Sequence, residues 1–204
     1  MPFAYDDGRM SRMAGRREAP ATRVKLTYDD FVLFPDDGLR HELIDGEHCV
    51  TPSPNTKHQT VSGNLFLAIG MWLETHPIGR VYHAPLDVVF SDFDVVEPDL
   101  LYISNERRKE IVTTQHVRGV PELVIEIGSP TTRTRDETIK LRLYERAGVL
   151  EYWFVDTDAD VVRVHRREGD RFSGAVELPR ADGDALATPL MPGLEVTLDR
   201  VFRD

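Results

Sequence analysis

Two acidic residues stand in strongly apolar segments of the sequence, where an ionised carboxylate requires a partner. Glu126 lies within the segment Glu122–Ile127, and the side-chain alternation of a β-strand places it on the same face as Val124. Asp99 follows Pro98 at the start of a second apolar segment. Burying a carboxylate is costly unless the group is paired or binds a metal ion. Each residue is therefore either structural, as a salt-bridge partner or a turn residue, or a functional ligand.

A lysine in the helix that follows favours the functional interpretation. Arg135 to Ala147 is predicted to be a helix that Gly148 ends, with Thr134 opening a capping box. Lysine is normally solvated, so Lys140 within the apolar stripe predicts an inward ammonium group near Glu126, with snorkelling to solvent as the alternative. The predicted stripe contains Asp136, Ile139, Lys140, Leu143, Tyr144 and Ala147.

Two carboxylates and an ammonium group are the components that phosphodiester hydrolysis needs. Carboxylate oxygens are the ligands that Mg²⁺ or Mn²⁺ prefers, and the bound ion generates hydroxide and polarises the phosphate. A lysine stabilises the charge that develops in the reaction. Asp99, Glu126 and Lys140 therefore predict a metal-dependent hydrolytic site.

The composition limits the classes of function. The net charge of −10 argues against a protein that coats DNA passively, since such proteins carry a basic surface. Cys49 is the only cysteine, which excludes an internal disulfide. No apolar run approaches the roughly 20 residues that span a bilayer, and the N-terminus lacks the apolar centre of a signal peptide. We expect a cytoplasmic protein without a membrane partner.

The predicted elements form an α/β fold with α+β character, in which a central mixed β-sheet is flanked by helices. Residues 1–23 are predicted to be a flexible N-terminal tail, and residues 24–204 a single domain. Asp45-Gly46 predicts a hairpin turn, and Asn55 or Thr56 caps a helix. The predicted segments are a helix over 57–74, strands over 41–44, 47–50, 86–90, 95–103 and 122–127, and a hairpin of 151–155 with 161–166.

The ordered motifs resemble a known family. Pro98-Asp99 followed by Glu126 in an apolar strand resembles the PD-(D/E)XK nuclease superfamily, and the wider pattern resembles the Uma-two family of predicted restriction endonucleases. The similarity covers nearly all of the chain after the tail. The superfamily's usual lysine position holds Gly128 here. The wider pattern consists of 41–47, His58, Pro98-Asp99, 122–130, Lys140, Tyr144 and 148–153.

The resemblance implies a restriction-endonuclease-like core and assigns roles to particular residues. Asp99 and Glu126 correspond to the metal ligands, to which the Ile127 carbonyl would add. Lys140 would replace the missing lysine as the catalytic cation, and Glu42 is a further candidate carboxylate.

Two secondary candidates have simpler explanations. His58 lies on the apolar stripe of the first long helix, where a histidine is more often structural than catalytic. Tyr144 comes one turn after Lys140, where a core aromatic residue is the simpler alternative to a hydrogen-bonding group at the site.

These features predict an endonuclease that hydrolyses DNA with Mg²⁺ or Mn²⁺, and the resemblance suggests a homodimer. Two alternatives remain open from the sequence. One is a catalytically silent binding or regulatory module with the nuclease fold. The other is a metal-dependent hydrolase of another phosphate substrate.

Overall fold

A computed structural model describes residues 24–128 and 135–204 of the chain. The predicted tail (1–23), the motif residues 129–130 and the cap at Thr134 lie outside these residues. The elements, in chain order, are α1 (Tyr28–Phe31), β1 (Arg40–Ile44), β2 (Glu47–Thr51), α2 (Thr56–Thr75), β3 (Gly79–His83), β4 (Val88–Ser91), β5 (Asp94–Val96), β6 (Leu100–Ser104), α3 (Asn105–Ile111), β7 (Val117–Arg118), β8 (Leu123–Gly128), a π-helical turn (Asp136–Lys140), α4 (Leu141–Ala147), β9 (Glu151–Asp156), β10 (Val161–Glu168), β11 (Arg171–Phe172), β12 (Val176–Pro179), a 3₁₀ turn (Arg180–Asp182), β13 (Ala185–Thr188), β14 (Met191–Thr197) and α5 (Leu198–Val201).

The largest sheet is mixed, as predicted. Its strands run in the order β11-β10-β9-β8-β6-β3, and β12 also pairs with β10. Only β8 and β9 pair in parallel within this sheet, and the connection between them carries the π-helical turn and α4. A second sheet has the order β2-β1-β5-β4-β7, and β13 pairs with β14. The predicted central sheet is therefore accompanied by a five-stranded sheet.

Helix α2 packs on the larger sheet through one stripe of apolar side chains. Its N-cap is Asn55, whose side chain accepts a hydrogen bond from the backbone N–H of His58 at 2.9 Å, as a capping residue does. The buried residues of the stripe are His58, Val61, Leu65, Ala68, Ile69 and Leu73. The predicted helix and its cap are confirmed. None of the helices within 24–128 and 135–204 is long and apolar enough to span a membrane.

The segment 95–103, predicted to be one strand with Pro98 at a strand start or a bulge, forms two strands, because the chain changes sheets there. Strand β5 ends at Val96 in the five-stranded sheet, and β6 begins at Leu100 in the larger one. Pro98 lies between them, and proline has no N–H to continue a ladder. Asp99 is thereby placed at the crossing between the two sheets.

The helix predicted over 135–147 contains a π-helical turn over Asp136–Lys140. Its backbone hydrogen bonds join residues five apart, which widens the turn and changes which residues face inward. Asp136 and Lys140 are buried, whereas Ile139 is 49% exposed, so its predicted place in the core stripe is wrong. Gly148 ends α4 with a φ of 94°, a conformation that favours glycine.

Candidate active site

Asp99, Glu126 and Lys140 line one polar cavity between the two sheets. Their side chains are almost completely buried, and Lys140 is 1% exposed. The cavity volume is about 20 Å³, which is room for a single water-sized group. The structure also places the other predicted residues in or beside this cavity: Glu42, His58, Ile127 and Tyr144.

Three donors surround the carboxylate of Asp99. The guanidinium group of Arg40 lies 3.1 Å from Oδ1, and Nε2 of His58 lies 3.1 Å from Oδ2. The backbone N–H of Ile127 donates to Oδ2 at 2.8 Å. Burial by itself would raise the pKa of Asp99, but His58 and Arg40 outweigh it and lower that pKa to about 2. Asp99 is therefore an anion at neutral pH.

Glu126 lies in a less compensated environment. Lys140 Nζ donates to its Oε1 at 3.0 Å, and the hydroxyl of Tyr144 donates to the same oxygen. Burial raises the pKa of Glu126 to about 8. Lys140 offsets only part of this increase, and the neighbouring carboxylates, including Asp99 and Asp136, add to it. Two carboxylates in one cavity therefore have pKa values shifted in opposite directions.

Glu42 is a fully buried member of the same network. Its Oε1 lies 2.8 Å from Lys140 Nζ and accepts from the backbone N–H of Glu97 at 3.1 Å. Its Oε2 accepts from Thr51 at 2.9 Å and lies 3.4 Å from Arg135. Burial would raise the pKa of Glu42, but the ammonium and guanidinium groups lower it below its usual value. Glu42 therefore supplies Lys140 with a charged partner.

Lys140 joins the two sheets electrostatically. Glu42 belongs to β1 of the five-stranded sheet, and Glu126 belongs to β8 of the larger one. Burial would lower the pKa of Lys140, but the two glutamates raise it above its usual value. The ammonium group therefore stays charged inside the protein. This inward orientation agrees with the position predicted from helical spacing.

Arg40 was missed by the sequence analysis, although β-strand alternation contains a signal for it. Arg40 lies two residues before Glu42 in β1, so the two side chains project from the same face. Arg40 also donates to the backbone carbonyl of Glu97. A basic residue at this spacing from a buried carboxylate indicates a charged face of the strand.

Both secondary candidates contact a carboxylate directly. His58 contacts Asp99, and Tyr144 contacts Glu126. His58 Nδ1 is buried and has no hydrogen-bond partner among the residues that the structure describes. Burial and the nearby carboxylates raise the pKa of Tyr144 well above its usual value, so its hydroxyl remains a donor.

The cavity has carboxylate oxygens, the type of ligand that a hard divalent cation takes. No cluster of three or more His, Cys, Asp or Glu side chains within 24–128 and 135–204 has the arrangement of a metal site. Mg²⁺, however, is usually held by one or two carboxylates, with water and substrate phosphate completing its shell. Asp99, Glu126 and Ile127 line the same cavity, and the two side chains offer oxygen ligands. An ion there would have to displace part of the present ion pairing.

Comparisons with known proteins place the chain in a family. Residues 28–199 match the model of the Uma2 family, described as "Putative restriction endonuclease". A crystal structure described as a "putative nuclease belonging to DUF820" from Anabaena variabilis ATCC 29413 is similar, with a TM-score of 0.74 and 20% identity. The similarity covers 87% of this chain and 97% of that chain. No curated protein matches.

The structural similarity and the family match agree with the predicted fold. At this level of identity the similarity shows a shared fold, which is restriction-endonuclease-like, with mixed sheet and flanking helices. The family model covers most of the chain, and the PD-(D/E)XK superfamily is consistent with it. The chain therefore belongs to the Uma2 family.

Proposed function

We propose that the protein is an endonuclease that hydrolyses DNA phosphodiester bonds with Mg²⁺ or Mn²⁺. The observation that carries this proposal is the meeting of Asp99, Glu126 and Lys140 in one buried polar cavity. Membership of a family described as restriction endonucleases supports it. DNA as the substrate rests on that family membership and on the suitability of the site for a phosphodiester.

The oxygen ligands of the ion would come from Asp99, Glu126 and the backbone carbonyl of Ile127. A bound ion would supply a nucleophilic hydroxide and polarise the phosphate. The Ile127 N–H already points to Asp99, and the N–H and C=O groups of one strand residue lie on the same side of the strand. Its carbonyl is therefore on the side of the cavity.

The remaining residues orient the ligands and stabilise charge. Asp99 is held in place by Arg40 and His58, so it presents a fixed anion. Lys140 remains charged because Glu42 is its second partner. The ammonium group of Lys140 would stabilise the negative charge that develops on the phosphate. Glu42 acts through Lys140 and is a positioning residue in this proposal.

Plasmid cleavage by the purified protein tests the proposal. We expect cleavage with Mn²⁺ or Mg²⁺, none with EDTA, and a loss of more than about a hundredfold in Asp99→Asn, because even partners outside the ligand shell contribute 10–100-fold. Asp94→Asn is the matched control, since Asp94 is also buried and bonded to an arginine but does not line the cavity. Equal cleavage by the wild type and Asp99→Asn, or cleavage in EDTA, contradicts the proposal.

A catalytically silent module is the second candidate, and the ion pairing of the cavity favours it. Both oxygens of Asp99 already accept hydrogen bonds from protein groups. A silent module predicts no heat of Mn²⁺ binding by calorimetry. Binding that disappears in Asp99→Asn and persists in Asp94→Asn would favour the nuclease instead.

Two further predictions belong to the same proposal. A homodimer would present two sites to the two strands of DNA, and light scattering during size-exclusion chromatography measures its mass. A cytoplasmic location remains a prediction, which fractionation of cells can test.

A further inference from the structure

A groove of about 220 Å³ opens directly beside the candidate active site. Arg40, His58 and Asp99 line both the groove and the acidic cavity, so the two spaces share a wall. A substrate whose phosphate lay at the edge of the cavity would therefore have its neighbouring group in the groove.

One face of α2 forms a wall of the groove. Gln59, Ser62, Gly63 and Phe66 line it with the spacing i, i+3, i+4 and i+7, which places them along one side of a helix. Gln59 is exposed and Ser62 is half-buried, and neither side chain has a hydrogen-bond partner among the described residues, so their polar groups are available to a ligand. A Cβ atom added to Gly63 would meet no atom within 4 Å. The middle of this wall is open.

Aromatic rings form the far end of the groove. The Phe66 and His83 rings lie 4.9 Å apart at 79°, an edge-to-face arrangement. His83 is exposed, and its Nδ1 lies 2.7 Å from the carbonyl oxygen of Ala84, to which it donates. This bond orients the imidazole ring and leaves Nε2 as an acceptor in the neutral form.

The charges of the groove favour a base over a phosphate. Arg40 is the only arginine or lysine among the described residues that line the groove. Its guanidinium group already bonds Asp99 and the carbonyl of Glu97. The groove therefore offers aromatic surface and neutral polar groups, which are the features that bind bases in single strands.

We propose that this groove holds an unpaired nucleobase of the DNA strand, next to a phosphate that binds at the edge of the cavity. The proposal rests on the proposed function, because it concerns the substrate of the same site. The base stacks on the Phe66 ring, to which the His83 ring is nearly perpendicular, and its polar edge bonds with Gln59 and Ser62. A base inside a duplex cannot enter such a space without leaving the stack. The protein is therefore expected to prefer single-stranded or locally unpaired DNA.

Fluorescence titration in EDTA tests the groove without any cleavage. The probe is an oligonucleotide that carries 2-aminopurine, used as a single strand and annealed to its complement. We expect the protein to bind the single strand about tenfold more tightly than the duplex and to change the fluorescence of the unpaired base.

Two variants change the groove in different ways. Phe66→Leu removes a ring and weakens binding of the single strand about tenfold, since stacking on an aromatic ring contributes this order of affinity. Gly63→Leu fills the open wall and weakens binding at least as much. Leucine has a higher helix propensity than glycine, so this substitution is compatible with α2. Gly174→Leu is the matched control, because Gly174 also has open space around it and lies after β11, at the opposite edge of the sheet from β3. Thermal unfolding confirms that each variant is folded.

The outcomes separate this proposal from the proposed function. Wild-type affinity for the single strand in folded Gly63→Leu, or no preference for unpaired DNA, overturns the groove proposal even if the protein cleaves plasmid. Binding that both variants lose supports the groove, and it does so whether or not the cleavage test succeeds.

Discussion

The two carboxylates of the cavity differ in how the protein compensates their burial. Asp99 has a guanidinium group, an imidazole and a backbone N–H, and its pKa falls to about 2. Glu126 shares the ammonium group of Lys140 with a second glutamate, and its pKa rises to about 8. The comparison shows that burial alone does not decide the charge of a carboxylate. The number of donors, whether they are shared, and the neighbouring carboxylates decide it.

Opposite shifts within one cavity are typical of sites where two carboxylates have different tasks. On the Asp99 side the charge is fixed, so this residue is suited to anchor an ion. On the Glu126 side the charge depends on pH and on what else binds. The following predictions test this difference, beginning with the largest effect.

Removing the ammonium group should have the largest effect on stability. Lys140→Met leaves two glutamates buried without their shared cation, which lowers the free energy of unfolding by about 3–5 kcal/mol. Urea unfolding of the metal-free protein measures the change. Lys57→Met is the control, because Lys57 pairs with Asp160 on the surface and such pairs contribute at most about 1 kcal/mol. Equal effects of both substitutions would show that Lys140 is not the principal compensation for Glu126.

The pH dependence of unfolding should separate the two carboxylates next. Burial raises the pKa of Glu126 above its unfolded value, so its contribution to stability is complete below the unfolded pKa and is lost as pH rises through about 8. The pKa of Asp99 is lowered, so its contribution is present above the unfolded pKa and is lost as pH falls towards 2. Between pH 5 and 9, the free energy of unfolding should decrease less in Glu126→Gln than in the wild type, and urea unfolding at each pH measures it. Identical pH profiles would contradict the raised pKa.

Removing one donor from Asp99 should cost less than removing Lys140. His58→Leu leaves Asp99 bonded to Arg40 and Ile127, so we expect a loss of about 1.5–3 kcal/mol, as for a hydrogen bond to a charged group. Chemical denaturation measures it. If the free energy of unfolding fell as much as in Lys140→Met, Arg40 and Ile127 would not be sufficient to stabilise the Asp99 anion without His58.

The smallest effect is expected for the tyrosine that contacts Glu126. Tyr144→Phe removes one donor while Lys140 remains bonded, and it should cost about 1 kcal/mol. Tyr152→Phe is the matched control, since Tyr152 is also buried and donates to the backbone carbonyl of Asp136 at 3.2 Å. Tyr144→Phe should also alter the pH profile of unfolding, whereas Tyr152→Phe should not.

The amino-acid sequence by itself determined the elements that depend on neighbouring residues. Asp45-Gly46 forms the predicted hairpin turn, with φ values of 53° and 73° that a type I′ turn requires. Asn55 caps α2, and Gly148 ends α4. The inward position of Lys140 also follows from local spacing. These features were predictable because short-range backbone geometry and helical periodicity decide them.

The tertiary structure alone decided how the charges are compensated. Arg40 meets Asp99 only because β1 pairs with β5, just before the chain crosses into the larger sheet. Lys140 joins Glu42 and Glu126 only because their two sheets meet at the cavity. Strand pairing between distant parts of the chain depends on the packing of both sheets, which no local pattern encodes. For this reason the sequence could indicate a polar site around Asp99 and Glu126, but not that their pKa values would shift in opposite directions.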